Sequence, residues 1–213
     1  TSPPSSTWGS DVSMSPYEIA GFVSGVIAVW LTAKESPWCW PTGLVNVSLY
    51  ILICGQAKLY ADMGLQVVYV VVCLYGWWEW LHGGVGGGRL EVSRAPRRML
   101  AGLIVAGAVF AALLGLAFRR WTDASFPFLD STLAAYSLVA QWLQSTKRIE
   151  TWWFWIAVDV GYIGLYPAKG LWLTSLLYAI FLVLCLIGLR DWKRSLVAAT
   201  MPEPAAAPEP EAA

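Results

Sequence analysis

The chain has few charged residues and no excess of either sign. Charged residues make up 13% of its 213 residues, with 14 Lys and Arg against 14 Asp and Glu, whereas 57% of the residues are hydrophobic. Without a basic excess the chain is poorly suited to neutralise phosphates, which argues against a nucleic-acid partner. A composition this apolar and this poor in charge indicates a membrane protein that lies in a lipid bilayer.

Motifs of enzymes and metal sites are also missing. The cysteines are Cys39, Cys54, Cys73 and Cys185, and none of them forms a CxxC pair. Neither a disulfide framework nor a zinc site is predicted, and the cysteines are expected to be small buried side chains. There is no HExxH, no Gly-rich phosphate loop and no paired cluster of His, Cys, Asp and Glu. We therefore predict that the protein is not an enzyme and uses no cofactor or metal.

Long apolar segments are abundant. A helix needs about 20 predominantly apolar residues to cross a bilayer, with a usable range of about 17 to 25. Seven segments meet or approach this length, and the fifth is the weakest because it is rich in small and polar residues. They are Pro16–Ala33, Trp40–Gln56, Asp62–Leu81, Met99–Phe118, Leu129–Gln144, Thr151–Ala168 and Leu171–Arg190. The predicted fold class is an all-α membrane protein with seven transmembrane helices.

The two ends of the chain lack the features of membrane segments. The first fifteen residues contain neither a basic residue nor an apolar core, so no signal peptide is predicted. Met14 is a candidate natural start, with residues 1–13 as an upstream extension. We expect residues 1–15 to be a disordered segment on the outer side of the membrane. Residues 195–213, which are rich in Ala, Pro and Glu towards the end, are expected to form a disordered cytoplasmic tail.

The basic residues are unequally divided between the two sides of these segments. One side receives Lys34 and the Lys and Arg residues within 89–98, 147–148 and 190–194, whereas the other receives those at 58, 119–120 and 169. Because short cytoplasmic loops carry the excess of Lys and Arg, the first side is predicted to be cytoplasmic. The N-terminus is then outside and the C-terminus inside.

A weak internal repeat relates the beginning of the chain to its end. At one constant offset Trp40 corresponds to Trp152, Tyr50 to Tyr162, Cys73 to Cys185 and Trp80 to Trp192, while Asn46 and Asp159 are out of step by one residue. This predicts a three-helix bundle at 16–81, a flexible cytoplasmic Gly/Arg-rich linker at 82–98, a linking transmembrane helix at 99–118 and a second bundle at 129–194. The odd fourth helix makes the two repeats parallel, an arrangement that transporters use with the substrate at the repeat interface.

One carboxylate lies deep inside a predicted span. On a helix, Asp159 shares a face with Trp152, Trp155, Tyr162 and Tyr166. An Asp at the centre of a membrane helix costs roughly 2.5–3.5 kcal/mol on insertion scales, so such residues usually have a function. Aromatic planes beside one carboxylate suit a flat, cationic ligand. A helix-packing hydrogen bond, or a neutral protonated acid, would also account for Asp159.

Other polar and aromatic residues in the predicted spans are further candidates for substrate contacts. Asn46 is the near-counterpart of Asp159, although Asn can also simply join helices in a membrane. The remaining candidates lie on helix faces shared with polar neighbours or on the helices of Asn46 and Asp159. They are Tyr50, Gln66, Tyr69, Ser137, Gln141, Trp142 and Tyr162. No Lys or Arg lies deep in a predicted span, so nothing there is suited to bind a phosphate or carboxylate.

Most other tryptophans lie near the ends of predicted helices. Trp is enriched where membrane meets water, so these residues are predicted to form interfacial belts. They are Trp8, Trp38, Trp77, Trp78, Trp80, Trp121, Trp172 and Trp192.

Four short motifs resemble those of the Pnu family of bacterial vitamin transporters. The motifs are Trp40-Pro-Thr-Gly-Leu-Val-Asn46, Ala57-Lys-Leu-Tyr-Ala-Asp62, the stretch from Asp130 to Trp142, and Trp152-x-x-Trp155-x-x-x-Asp159. The resemblance covers most of residues 16–194 and is strongest to nicotinamide riboside transporters of the PnuC type. This sequence has Asp at 159 where some members carry Asn, and sister groups carry thiamine or riboflavin.

The resemblance implies a SWEET-like fold of three, one and three helices in the bacterial inner membrane, and a homotrimer. It implies facilitated diffusion, with the substrate trapped by a cytoplasmic nucleoside kinase. It places Trp152, Trp155, Asp159, Asn46 and Gln141 at the substrate. The hypothesis is therefore uptake of nicotinamide riboside, a precursor of NAD. Alternatives are a thiamine or other vitamin transporter, proton coupling through Asp159, a membrane-embedded enzyme, or a sensor that binds without transport.

Overall fold

A computed structural model describes residues 16–56, 60–122, 125–168, 170 and 172–200. These residues form seven α-helices and one short 3-10 turn, Val85–Gly87, which confirms the predicted fold class. The helices are α1 Pro16–Ala33, α2 Cys39–Gln56, α3 Tyr60–His82, α4 Arg97–Trp121, α5 Pro127–Ser145, α6 Thr151–Ala168 and α7 Trp172–Thr200. The predicted tail at 195–213 begins as the last turns of α7. The predicted outer segment 1–15 with Trp8, residues 57–59, and residues 201–213 lie outside the described part.

Six of the helices form a closed ring. Each helix of the series α1, α2, α3, α5, α6 and α7 packs on the next, and α7 packs back on α1, while α4 packs on α5. Among the described residues, Arg97–Trp121 and Thr174–Ala199 are the two segments long and apolar enough to cross a membrane by composition alone. Of the others, α2 carries Asn46, α5 carries Gln141 and α6 carries Asp159. These polar residues make α2, α5 and α6 less apolar than α4 and α7.

The internal repeat is present in three dimensions. A shift of 112 residues, the separation of Trp80 and Trp192, superposes the order α1–α2–α3 on α5–α6–α7. The contacts between the two bundles are reciprocal, because Trp80 Nε1 donates to the Gln144 carbonyl and Trp192 Nε1 donates to the Thr32 carbonyl, both at 3.0 Å. Thr32 and Gln144 are themselves related by the same shift. The two bundles thus face each other across a pseudo-two-fold axis.

Four buried tryptophans form the core where the bundles meet. Trp40 packs edge-to-face on Trp80 with ring centroids 5.5 Å apart, and Trp152 packs edge-to-face on Trp192 at 5.3 Å. A glycine allows each close approach, since a Cβ on Gly76 would overlap the Trp40 ring and one on Gly188 would overlap the Trp152 ring. Burying such large rings is a major source of stability.

The prediction that Trp80 and Trp192 belong to an interfacial belt is wrong. They are 1% and 0% exposed, because each indole ring packs where the two bundles contact each other. The predicted belt residues Trp38, Trp121 and Trp172 are well exposed, as the prediction requires. The buried and the exposed tryptophans differ in their tertiary contacts, and the sequence around a helix end does not show those contacts.

The linker between the bundles was predicted to be flexible, but its second half is held in place. Ser93 pairs with the α5–α6 turn through its backbone, donating to the Lys147 carbonyl and accepting from Ile149 N–H. Ala95 N–H donates to Glu150 Oε2 at 2.8 Å, and Arg148 donates to Ser93 Oγ at 2.8 Å. A Gly-rich first half of the linker therefore does not make the second half flexible.

The turns after α1 and α5 have the same geometry. Glu35 and Lys147 are related by the repeat, and both adopt the left-handed conformation with φ of 54° and 51°. In each turn two backbone N–H groups cap the preceding helix, as in a Schellman motif. The side chains then meet across the axis, with Lys147 Nζ 3.0 Å from Glu35 Oε2.

Candidate substrate-binding site

A cavity of about 360 Å³ lies inside the ring of helices. All six helices of the ring contribute to its wall. Nine of the eleven side chains that the sequence predicted to contact a substrate line this one cavity: Asn46, Gln66, Tyr69, Ser137, Gln141, Trp152, Trp155, Asp159 and Tyr162. The fold thus brings together residues more than one hundred positions apart in sequence.

Asp159 is the one acidic residue among the described residues that line the cavity. The residue is 2% exposed, and its Oδ2 accepts a hydrogen bond from Cys185 Sγ at 3.3 Å. A thiol is a weak donor, so this contact satisfies only a small part of the hydrogen-bonding capacity of a carboxylate. None of the described residues that line the cavity is Lys or Arg. The site is therefore suited to a ligand that brings hydroxyl groups or positive charge.

The two tryptophans of α6 have different surroundings. Trp155 donates its Nε1–H to Gln144 Oε1 at 2.9 Å, which fixes the orientation of its indole ring. Trp152 packs against Trp192. Within the described residues its buried Nε1 has no hydrogen-bond partner, and the same holds for Nε1 of its counterpart Trp40. Both rings present apolar surface to the cavity.

The amide and hydroxyl groups of the wall are partly held by the protein. Asn46 Nδ2 donates to the Gly21 carbonyl at 2.6 Å and to Ser24 Oγ at 3.2 Å. Because both amide hydrogens are used, the group can act towards a ligand through its carbonyl oxygen. Ser137 Oγ donates to the Leu133 carbonyl at 2.8 Å and is likewise left with acceptor capacity.

Two predicted site residues lie elsewhere. Trp142 stacks on Tyr75 with centroids 5.5 Å apart and is 43% exposed. It follows Gln141 directly, and successive residues on a helix point about 100° apart. Tyr50 does not line the cavity, since its ring lies against Gly21 of α1. Tyr166, which shares a face with Asp159, stacks on Tyr162 and Tyr178 rather than reaching the cavity.

The family of the chain is decided by a match along most of its length. A family described as "Nicotinamide mononucleotide transporter" matches residues 15–194. The chain belongs to this family. Its members are membrane transporters, which agrees with the seven helices and with the prediction that the protein is not an enzyme.

Two transporters and one solved transporter structure are similar to this chain over most of its length. The riboflavin/roseoflavin transporter RibM of Streptomyces davaonensis is 29% identical over 178 residues, which cover 82% of this chain and 83% of the relative. The nicotinamide riboside transporter PnuC of Escherichia coli is 29% identical over 203 residues, covering 84% and 85%. The crystal structure of the vitamin B3 transporter PnuC has a TM-score of 0.66 at 23% identity, covering 84% of this chain and 81% of that one. The chain thus has the same fold as that transporter structure.

Several residues of the transporter cavity were not predicted. They include Thr32, Cys39, Trp40, Cys73, Gln144, Tyr178, Phe181 and Cys185. The repeat contains the signal that identifies some of them: Trp40 is the counterpart of Trp152, and Tyr178 is the counterpart of Gln66. The sequence alone cannot show that both members of such a pair face one shared cavity.

Proposed function

We propose that this protein carries nicotinamide riboside across the bacterial inner membrane by facilitated diffusion. The observation that carries the proposal is the buried carboxylate of Asp159 in a cavity walled by Trp152 and Trp155, where none of the described lining residues is basic. The pyridinium ring of the riboside is flat and positively charged. A cation over a tryptophan face gains about 0.5–2 kcal/mol, and Asp159 balances the same charge.

The ribose and carboxamide of this ligand suit the remaining groups of the wall. Ribose hydroxyls can donate to the carbonyl oxygen of Asn46, to Ser137 Oγ and to the amide oxygen of Gln141. A phosphate would instead need a cation in the cavity, because an unpaired anion in low dielectric is costly. We therefore infer that the nucleoside is carried and the mononucleotide is excluded. A cytoplasmic nucleoside kinase would then trap the imported substrate.

Transport requires the two bundles to separate on alternate sides of the cavity. On the basic, cytoplasmic side, Trp40 lines the cavity and packs on Trp80. Lys147 Nζ lies 4.9 Å from the centroid of that Trp80 ring and pairs with Glu35 of the other bundle. These contacts connect the cavity wall to the basic side of the molecule. We infer that these contacts form the inner gate.

Isothermal titration of the purified full-length protein tests the ligand. Nicotinamide riboside should bind, whereas nicotinamide mononucleotide and the uncharged, reduced riboside should bind at least tenfold more weakly. The reduced riboside is a matched control, since it keeps the sugar and carboxamide but has no ring charge. Binding of the mononucleotide as tight as that of the riboside would contradict the proposal.

Riboflavin is the second candidate substrate, because the riboflavin/roseoflavin transporter RibM is as similar to this chain as PnuC is. Its ribityl chain offers hydroxyls like those of ribose, but its ring is uncharged. Saturable binding of riboflavin without binding of the riboside would assign the protein to this substrate and would make Asp159 a hydroxyl acceptor.

A further inference from the structure

Among the repeat-related pairs of residues that line the cavity, one pair differs most in side-chain size. Trp40 and Trp152 are related by the repeat and both line the cavity, as do Cys73 and Cys185. One helical turn further on, Trp155 of α6 corresponds to Gly43 of α2, and both of these also line the cavity. The tryptophan at this position of α6 therefore corresponds to a glycine, which has no side chain, at the related position of α2.

The space at Gly43 is open towards the cavity. A Cβ built on Gly43 would meet Cys73 Sγ at 3.7 Å, which is ordinary van der Waals contact, and no other atom of the described residues within 4 Å. By contrast, Gly76 and Gly188 have no room for a Cβ, because the Trp40 and Trp152 rings pack directly on them. Gly43 is therefore a glycine whose missing side chain leaves volume in the cavity rather than a close helix contact.

The related position on α6 carries Trp155. The Trp155 ring is held by its hydrogen bond to Gln144 Oε1 at 2.9 Å. Because Gly43 and Trp155 are related by the repeat and both line the cavity, a flat ligand ring stacked on this indole would extend towards the part of the wall that contains Gly43. The width of ring system that fits then depends on the size of residue 43.

We propose that Gly43 is a specificity-determining residue that sets how large a ring the transporter accepts beside Trp155. This inference rests on the proposed function and defines the ligand class more closely: flat rings carrying a sugar or sugar alcohol. Asp159 then selects for the charge of the ligand ring, and the size of residue 43 limits the width of that ring. A one-ring nicotinamide tolerates a small side chain at 43, whereas the three fused rings of a flavin do not.

Two graded substitutions test the proposal, with titration of nicotinamide riboside and riboflavin as the probes. Gly43→Ala adds one methyl group and Gly43→Leu fills the space. Both replacements are better helix formers than glycine, and the methyl group meets no close neighbour, so weaker binding cannot be attributed to a weaker helix. Gly164→Ala is the matched control, because Gly164 lies on α6 with no described atom within 4 Å of its Cβ position.

The following changes in affinity are expected for each ligand that the unaltered protein binds. Gly43→Ala should weaken riboflavin binding at least tenfold and riboside binding less than threefold, and Gly43→Leu should abolish binding of both. Gly164→Ala should leave every affinity unchanged. Unaltered affinities in both Gly43 variants would overturn this inference and leave the proposed function standing. Failure of the unaltered protein to bind either ligand would overturn the proposed function, and this inference with it.

Discussion

Asp159 is an acidic residue that no Lys or Arg among the described lining residues of the cavity pairs with. Its neighbours in the wall are aromatic rings, amides and thiols, and the Cys185 thiol that donates to it at 3.3 Å is a weak donor. An ionisable residue at membrane depth usually marks a substrate or ion pathway. We therefore expect replacement of the carboxylate to separate charged from uncharged substrates.

We predict that Asp159→Asn lowers the affinity for nicotinamide riboside about 10- to 100-fold. Interactions with a charged group contribute about 1.5–3 kcal/mol, and about 1.4 kcal/mol corresponds to a factor of ten. Asn is nearly isosteric and can still accept the Cys185 thiol, so the helix packing should persist. Titration calorimetry measures the change.

The reduced, uncharged riboside is the control ligand for that variant. Its affinity should differ by less than threefold between the unaltered protein and Asp159→Asn, because its ring carries no charge for the carboxylate to balance. An unchanged affinity for the charged riboside would remove Asp159 from the site.

Trp155 can be tested against a neighbour that points the other way. Trp155→Phe keeps a ring but loses the bond to Gln144 Oε1, so the stacking surface becomes smaller and is no longer fixed. Trp153 is 56% exposed and does not line the cavity, which makes Trp153→Phe the matched control. Uptake into proteoliposomes should fall at least threefold in the first variant only. Equal effects in the two variants would mean that Trp155 has no special part in binding.

At the scale of secondary-structure elements, the turns after α1 and α5 contact each other on the basic side of the molecule. Lys147 also donates to the Leu90 carbonyl of the linker at 2.9 Å, and its side chain is 8% exposed. A non-glycine residue in the left-handed conformation costs on the order of 1 kcal/mol, and here it occurs at both symmetry-related positions. The surroundings hold both turns in the geometry that forms the ion pair.

Joining these two turns covalently should stop transport. We predict that Glu35→Cys/Lys147→Cys, linked by a short bis-maleimide, loses at least tenfold in uptake, because the inner gate cannot open. Binding measured by titration should be retained, since the cavity itself is unchanged. Each single-cysteine variant treated with the same reagent controls for reaction at the native cysteines. Full uptake by completely linked protein would show that the gate lies elsewhere.

The sequence predicts elements well where the pattern is local. The bounds of α1 and α6 agree with the apolar segments, and one face of α6 contains Trp152, Trp155 and Asp159. The burial of Trp80 could not be predicted, because a tryptophan at a helix end looks the same in sequence whether it meets lipid or another bundle. The docking of Ser93 on the α5–α6 turn depends on contacts with residues more than fifty positions away. No local pattern contains that information.

At the scale of the whole molecule, facilitated diffusion and proton coupling differ in their response to a pH gradient. Facilitated diffusion predicts that uptake of the riboside into proteoliposomes is the same with and without an imposed gradient. The measurement is the initial rate of uptake at one external pH and two internal pH values. Faster uptake when the interior is more alkaline than the exterior, lost in Asp159→Asn, would establish proton coupling through this residue instead.

The reciprocal hydrogen bonds of Trp80 and Trp192 bear on how such a chain arises. Two identical three-helix proteins related by a two-fold axis would exchange this same contact twice, because every contact in a two-fold interface occurs in duplicate. A gene duplication that fuses two such proteins must add one further crossing, since three helices end on the side opposite to where they began. In this view α4 is the hinge of an ancestral fusion. The two bundles of the present chain are arranged like the subunits of such a dimer, and they differ at Gly43 and Trp155, where one bundle has an aromatic side chain and the other has none.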